Sequence, residues 1–173
     1  MKQSIEMAFP QSIAGDCLIV QSSEEFHIYD RVTHPKRCYI RDDETQVVHF
    51  TVVNPQNKDI HFLAIDACLF DEKDEPRCDF AIFDDTVFCF VEIKDIKGRQ
   101  RRNARINAQK QLSNTIKQFL NSGIAFSAGL EAIVCFATEK IYPATTAQSI
   151  DAVVEFEQEF GARFLIGNSR TFE

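Results

Sequence analysis

The chain has 173 residues, a net charge of -7, an apolar share of 45%, 16 phenylalanines and no tryptophan. That length supports one domain with a full core and is marginal for two. No apolar run approaches the roughly 20 residues of a membrane span, and the opening MKQSIEMAFPQSIAGD lacks the apolar segment of a signal peptide, so a cytoplasmic protein away from membranes is expected. Six cysteines, Cys17, Cys38, Cys68, Cys78, Cys89 and Cys135, show neither a Cys-x-x-Cys pair nor a histidine at zinc spacing. They read as free buried thiols of a reducing compartment.

Along the chain, Pro10, Gly15 and Asp16 break residues 1 to 16 into a short helix or irregular arm. Cys17 to Val20, Phe26 to Val32, Arg37 to Arg41 and Gln46 to Val53 are short β-favouring runs bounded by turn residues, a β-rich first third. Phe62 to Phe70 reads as an apolar strand into which Asp66 intrudes. Asp66 reaches the neighbouring site if this strand lies beside the next hairpin, and otherwise caps a turn or faces water. Phe80 to Phe83 and Val87 to Val91, separated by Asp84-Asp85-Thr86, predict an antiparallel hairpin. Gln100 to Asn121 has apolar or small residues in helical rhythm at Ala104, Ala108, Leu112, Thr115, Ile116, Phe119 and Leu120, stopped by Ser122-Gly123. Glu131 to Thr138 predicts a strand buried on both faces, Ile141 to Thr146 a loop, and Thr146 to Phe160 a helix capped by its threonine- and serine-rich start. Arg163 to Ile166 closes as a strand with a loose tail.

Charge collects at the hairpin's open end. Asp79 starts the first strand and Glu92 and Lys94 end the second, and alternation puts Glu92 and Lys94 on one face with Phe88 and Phe90. Antiparallel pairing then brings Asp79 beside Glu92. Two close carboxylates repel unless a cation joins them, which makes a hard divalent ion, Mg2+ or Mn2+, their simplest companion, and an adjacent lysine can orient an attacking water. From Lys94 to Lys117 eight basic residues face one acid, a local +7 that leaves -14 for the remainder. Lys97, Arg99, Arg101, Arg102 and Arg105 are the expected contacts to a nucleic-acid backbone. The acidic remainder favours a protein partner or a homodimer. His27, His34, His49 and His61 lack paired spacing and read as structural, and Cys78 and Cys89 lack a histidine that would make a nucleophile of either.

Asp79 followed by Glu92-Ile93-Lys94 resembles the signature of the PD-(D/E)XK nuclease superfamily, and the helix beyond it, with Gln111-Leu112 and Thr115-Ile116, strengthens the likeness. The grouping also looks like a set of small uncharacterised bacterial proteins of that superfamily. The resemblance covers about residues 62 to 140. It implies an α/β fold, a mixed central sheet flanked by helices in a restriction-endonuclease-like core over 56–173, with residues 1–55 as a β-rich addition within one domain. It further implies metal ligands at Asp79, Glu92 and the Ile93 carbonyl, catalytic roles for Asp79, Glu92, Lys94 and Gln111, and hydrolysis of DNA, with RNA as the lesser alternative. Gln109 is the lesser alternative to Gln111. Cys78 stands where the superfamily's name places proline, and Glu24 and Glu25 are the nearest counterparts of the acid often carried upstream. The expectation from a different class is a non-catalytic, nuclease-like binding or assembly subunit of a bacterial defence or repair complex; an acidic inhibitor that imitates nucleic acid is a third.

Overall fold

The computed structural model describes residues 1–70, 75–95, 100–137, 140–147 and 149–173. Two short helices, α1 (Lys2–Ala8) and α2 (Gln11–Ala14), precede five strands: β1 (Leu18–Gln21), β2 (Glu25–Asp30), β3 (Cys38–Ile40), β4 (Phe50–Val53) and β5 (Ile60–Ala64). The hairpin β6 (Phe80–Phe83) and β7 (Val87–Lys94) leads into helix α3 (Arg101–Asn121) and strand β8 (Gly129–Phe136). The two-residue β9 (Thr145–Thr146), α4 (Ile150–Phe160), β10 (Ala162–Ile166) and β11 (Ser169–Thr171) complete the chain.

The strands form a seven-stranded sheet in the order β1-β5-β6-β7-β8-β10-β9 and a four-stranded sheet in the order β11-β4-β2-β3. Both are mixed: β7, β8 and β10 run parallel in the large sheet, and β11 runs parallel to β4 in the small one. Sequence alternation decides what covers each face of the large sheet. Phe88 and Phe90 of β7 meet Leu112, Ile116 and Phe119 of α3 and Phe156 of α4 on one side. Val87, Cys89, Val91 and Ile93 meet Phe26, Ile28, Phe50 and Val52 of the small sheet on the other. The protein is therefore α/β with mixed sheets, the helices packing on one face and the second sheet on the other.

The hairpin follows the expected runs. Asp84 Oδ1 accepts the Thr86 N–H at 2.8 Å, the Thr86 hydroxyl at 2.7 Å and the Val87 N–H at 2.9 Å, which builds the reversal from the acid itself. Helix α3 starts one residue later than expected and buries Ala104, Ala108, Leu112, Thr115, Ile116 and Phe119; Leu120 stays exposed.

Five expectations are corrected. The strand expected over Phe62 to Phe70 ends at Ala64. The backbone turns through Ala67 at φ 53° and the Leu69 N–H bonds the Ile65 carbonyl at 3.0 Å, a helix-like i to i+4 turn that brings Ile65 and Leu69 into the same core. Thr145 and Thr146 do not cap α4; they pair with Ile166 and Leu165 as an edge strand, and α4 begins after Ser149 without a side-chain cap. The tail is not loose: Ser169 to Thr171 pair with Thr51 to Val53, and Phe172 is buried between the sheets. Cys17 and Cys68 are joined by a disulfide, which leaves Cys38, Cys78, Cys89 and Cys135 as the free buried thiols. Finally, residues 1–55 do not stand beside the core as an addition. They supply three strands of the small sheet, but also β1 to the large one, and β11 from the far end of the chain completes the small sheet.

Candidate metal centre

The register of the hairpin runs from Phe83 opposite Phe88 to Phe80 opposite Val91. One further step sets Asp79 against Glu92. Asp79 lies just before β6, where its carbonyl accepts the Ile65 N–H at 2.9 Å and its Oδ2 accepts the Ile93 N–H at 2.6 Å. Glu92 is 1% exposed on the α3 side of β7. The Lys94 ammonium donates to Glu92 Oε1 and, at 2.6 Å, to Gln111 Oε1.

Helix α3 is held to this spot by polar bonds at the edge of its apolar face. Gln111 Nε2 donates to the Arg77 carbonyl at 2.8 Å, so one amide joins the residue two before Asp79 to the ammonium of Lys94. The Cys78 N–H donates to Thr115 Oγ1 at 2.9 Å, and that hydroxyl donates to the Gln111 carbonyl at 2.7 Å. A proline at 78 has no N–H to make the first bond. Cys78 thus fastens α3 to the segment that carries Asp79 into β6.

Burial dominates the electrostatics. It pushes the Glu92 carboxyl well above the ordinary range, the nearby Asp79 adds to the rise, and Lys94 opposes it. Burial likewise raises Asp79 to about 7; the Ile93 N–H and Lys94 work against the rise, while Asp30 and Asp66 add to it. Glu92 Oε2 is buried and has no hydrogen-bond partner among the described residues. Leaving such an oxygen unsatisfied costs about 1–3 kcal/mol, a penalty that a bound cation or water removes.

Among the described residues, no three histidine, cysteine, aspartate or glutamate side chains close on a single point. The oxygen donors brought together here are the carboxylates of Asp79 and Glu92; of Ile93 the structure records the N–H on Asp79 Oδ2. A hard-oxygen set this sparse suits Mg2+ or Mn2+, which retain several waters, and does not suit zinc.

Two further acids stand at this end of the sheet. Asp66, one turn past β5, lines a cavity of about 240 Å³ together with Asp79, and so does Asp30 from the end of β2. Burial raises the Asp30 carboxyl, opposed by His49 and Lys94. The Asp30 N–H bonds His49 Nδ1 at 3.0 Å, a structural role for that histidine. Glu24 and Glu25, the sequence candidates for an upstream acid, are exposed at the other end of β2. Asp30 was missed although the sequence marks it: it shares parity with the inward-facing Phe26 and Ile28, and a charge at an inward position is the signal.

Of the expected backbone contacts, Lys97 and Arg99 lie outside the described residues. Arg101 and Arg102 are exposed and Arg105 half-buried on the first turns of α3, with the Arg101 guanidinium 4.9 Å from the Phe136 ring centroid. Lys117, at the far end of the run, pairs with Glu159 of α4 at 2.7 Å. Cys78 and Cys89 are fully buried and burial pushes both thiols far up, which removes them as nucleophiles. No helix among the described residues is long and apolar enough to cross a membrane. Comparison with protein-family profiles, curated proteins and solved structures returned no match.

Proposed function

We propose that this chain is a metal-dependent phosphodiesterase, a nuclease of the PD-(D/E)XK kind acting on DNA, with RNA as the lesser alternative. The observation that carries the reading is the buried, unpartnered Glu92 Oε2 beside Asp79, with Lys94 held by Glu92 and Gln111. The order of elements agrees with a restriction-endonuclease-like core: the meander β5-β6-β7, then α3, then β8 parallel to β7.

Asp79, Glu92 and the Ile93 carbonyl would hold Mg2+ or Mn2+, which when bound polarises a phosphoryl oxygen and acidifies water. Lys94 orients the attacking water and offsets charge on the phosphoryl group. Gln111 fixes the lysine by accepting a hydrogen bond from its ammonium at 2.6 Å while its own Nε2 donates to the Arg77 carbonyl. On α3, Arg105 and Arg101 stand about 9 and 15 Å along the axis from Gln111, a reach of three to four nucleotides at about 3.4 Å each. The Cys17–Cys68 bridge stands against the reducing, cytoplasmic compartment expected from the sequence.

Glu92→Gln and Lys94→Ala are expected to fold as the parent does. Glu92→Gln should lose both Mg2+ uptake by calorimetry and cleavage of DNA, and Lys94→Ala should keep uptake and lose cleavage by about a hundredfold or more. Equal cleavage by all three proteins would remove the assignment. The non-catalytic subunit is the second reading, favoured by one observation: Lys94 already spends its ammonium on Glu92 and Gln111. Absence of Mg2+ heat and of thermal stabilisation by Mg2+ in the parent selects it.

A further inference from the structure

We infer that the β2–β3 connection, through Arg31 and Lys36 with Arg37 behind them, is a phosphate-contacting wall of this site and grips the nucleic-acid backbone from the face of the sheet opposite α3. The inference rests on the nuclease reading and extends it to residues that no motif indicates. The cavity of about 240 Å³ is lined by Asp30, Asp66 and Asp79 and by Arg31, Lys36 and Arg37. It is a cleft with both signs of charge, and the acids continue directly into the metal centre through Asp79.

Arg37 is built in. It donates to the Gly15 carbonyl at 2.8 Å and to Cys68 Sγ at 2.7 Å, its guanidinium lies 4.7 Å from the Tyr39 ring centroid, and its buried Nε has no hydrogen-bond partner among the described residues. That N–H is closed off from solvent, so Arg37 lends its charge to the wall while Arg31 and Lys36 are the groups that reach a ligand. Arg31 bonds Thr33 through Nε at 3.2 Å, and Lys36 is exposed. A phosphodiester drawn to a cation on Asp79 and Glu92 brings flanking phosphates within reach of these bases. The alternative, that the three bases only neutralise the three acids, requires no ligand and makes Lys36 dispensable for binding.

The test uses anisotropy of labelled duplex DNA, single-stranded DNA and RNA with Ca2+ in place of Mg2+, across a salt series, and Mg2+ calorimetry on the same proteins. Arg31→Ala with Lys36→Ala should weaken binding of the preferred polymer at least tenfold and lower the salt slope by about 2, while Mg2+ uptake and the thermal midpoint stay at parental values. Lys36→Glu, at an exposed position, should weaken binding further without affecting the fold. Unchanged affinity and slope in both variants, with Arg102→Ala alone weakening binding, would overturn the inference and leave the nucleic acid on α3. A parent that takes up Mg2+ and binds none of the three polymers overturns it as well. A parent that takes up no Mg2+ removes the nuclease reading instead, and the anisotropy then shows separately whether the loop binds phosphate.

Discussion

Asp79 shows how a single side chain carries opposite demands. Its carboxyl, at about 7 when folded against 3.8 for the free group, holds its proton in the native state over a window in which the unfolded chain has released it. Stability from this group is therefore fully present below about pH 4 and is lost as pH rises through 7. The loss is at most about 1.4 kcal/mol per pH unit, trimmed by the water that reaches the half-buried side chain. Glu92, also raised, acts in the same direction. His49 and His61, whose pKa values burial lowers, act the other way as pH falls below 6.5. The carboxylate is isolated by the difference between the parent and Asp79→Asn. In chelator the parent's thermal midpoint should fall relative to that variant from about pH 4 to 7, and saturating Mg2+ should restore it. A constant difference across that window would show that Asp79 titrates as an exposed acid.

At the scale of elements, the joints around the site lie where sequence patterns are weakest. The hairpin and α3 were legible because apolar runs of strand and helix period flank an Asp-Asp-Thr break and a Ser-Gly stop, and Glu-x-Lys at the end of β7 points to its own partners. The turn at Asp66 was not legible: an apolar run interrupted by one acid cannot distinguish a strand from a strand that reverses at Ala67. Nor was the pairing of Cys17 with Cys68, which depends on β1 joining β5 so that Cys17 lies beside that reversal. The bridge closes a separation of 51 residues, for which the chain-entropy account gives about 4 kcal/mol, and it braces the segment carrying Asp66 and the sulfur that Arg37 touches. Thiol titration of the unfolded, unreduced protein should count four free cysteines, and reductant should lower the thermal midpoint. Six thiols, or a midpoint indifferent to reductant, would mean that the bridge is not present in solution.

For the molecule as a whole, the site exists because two sheets and a helix layer share one edge. Asp79, Glu92 and Lys94 come from the large sheet, Gln111 from the helix layer and Asp30 from the small sheet, and the last of these is set in place only by packing of one sheet on the other. If so, the small sheet must unfold with the rest. Two of the three tyrosines, Tyr29 and Tyr39, sit stacked on β2 and β3, 5.8 Å apart, and there is no tryptophan. Tyrosine fluorescence therefore reports mainly on the small sheet, whereas far-UV circular dichroism is dominated by α3 and α4 on the opposite face. Phe172, 2% exposed, fills the space between the sheets and its N–H bonds the Val53 carbonyl at 2.8 Å. Phe172→Ala should cost about 3–5 kcal/mol and shift both denaturation curves to the same lower midpoint, because a protein with one cooperative core loses both sheets together. A variant in which fluorescence melts early while the helical signal keeps its parental midpoint would show instead that the small sheet is a separable unit. Asp30 would then reach the candidate site only while that unit stays docked.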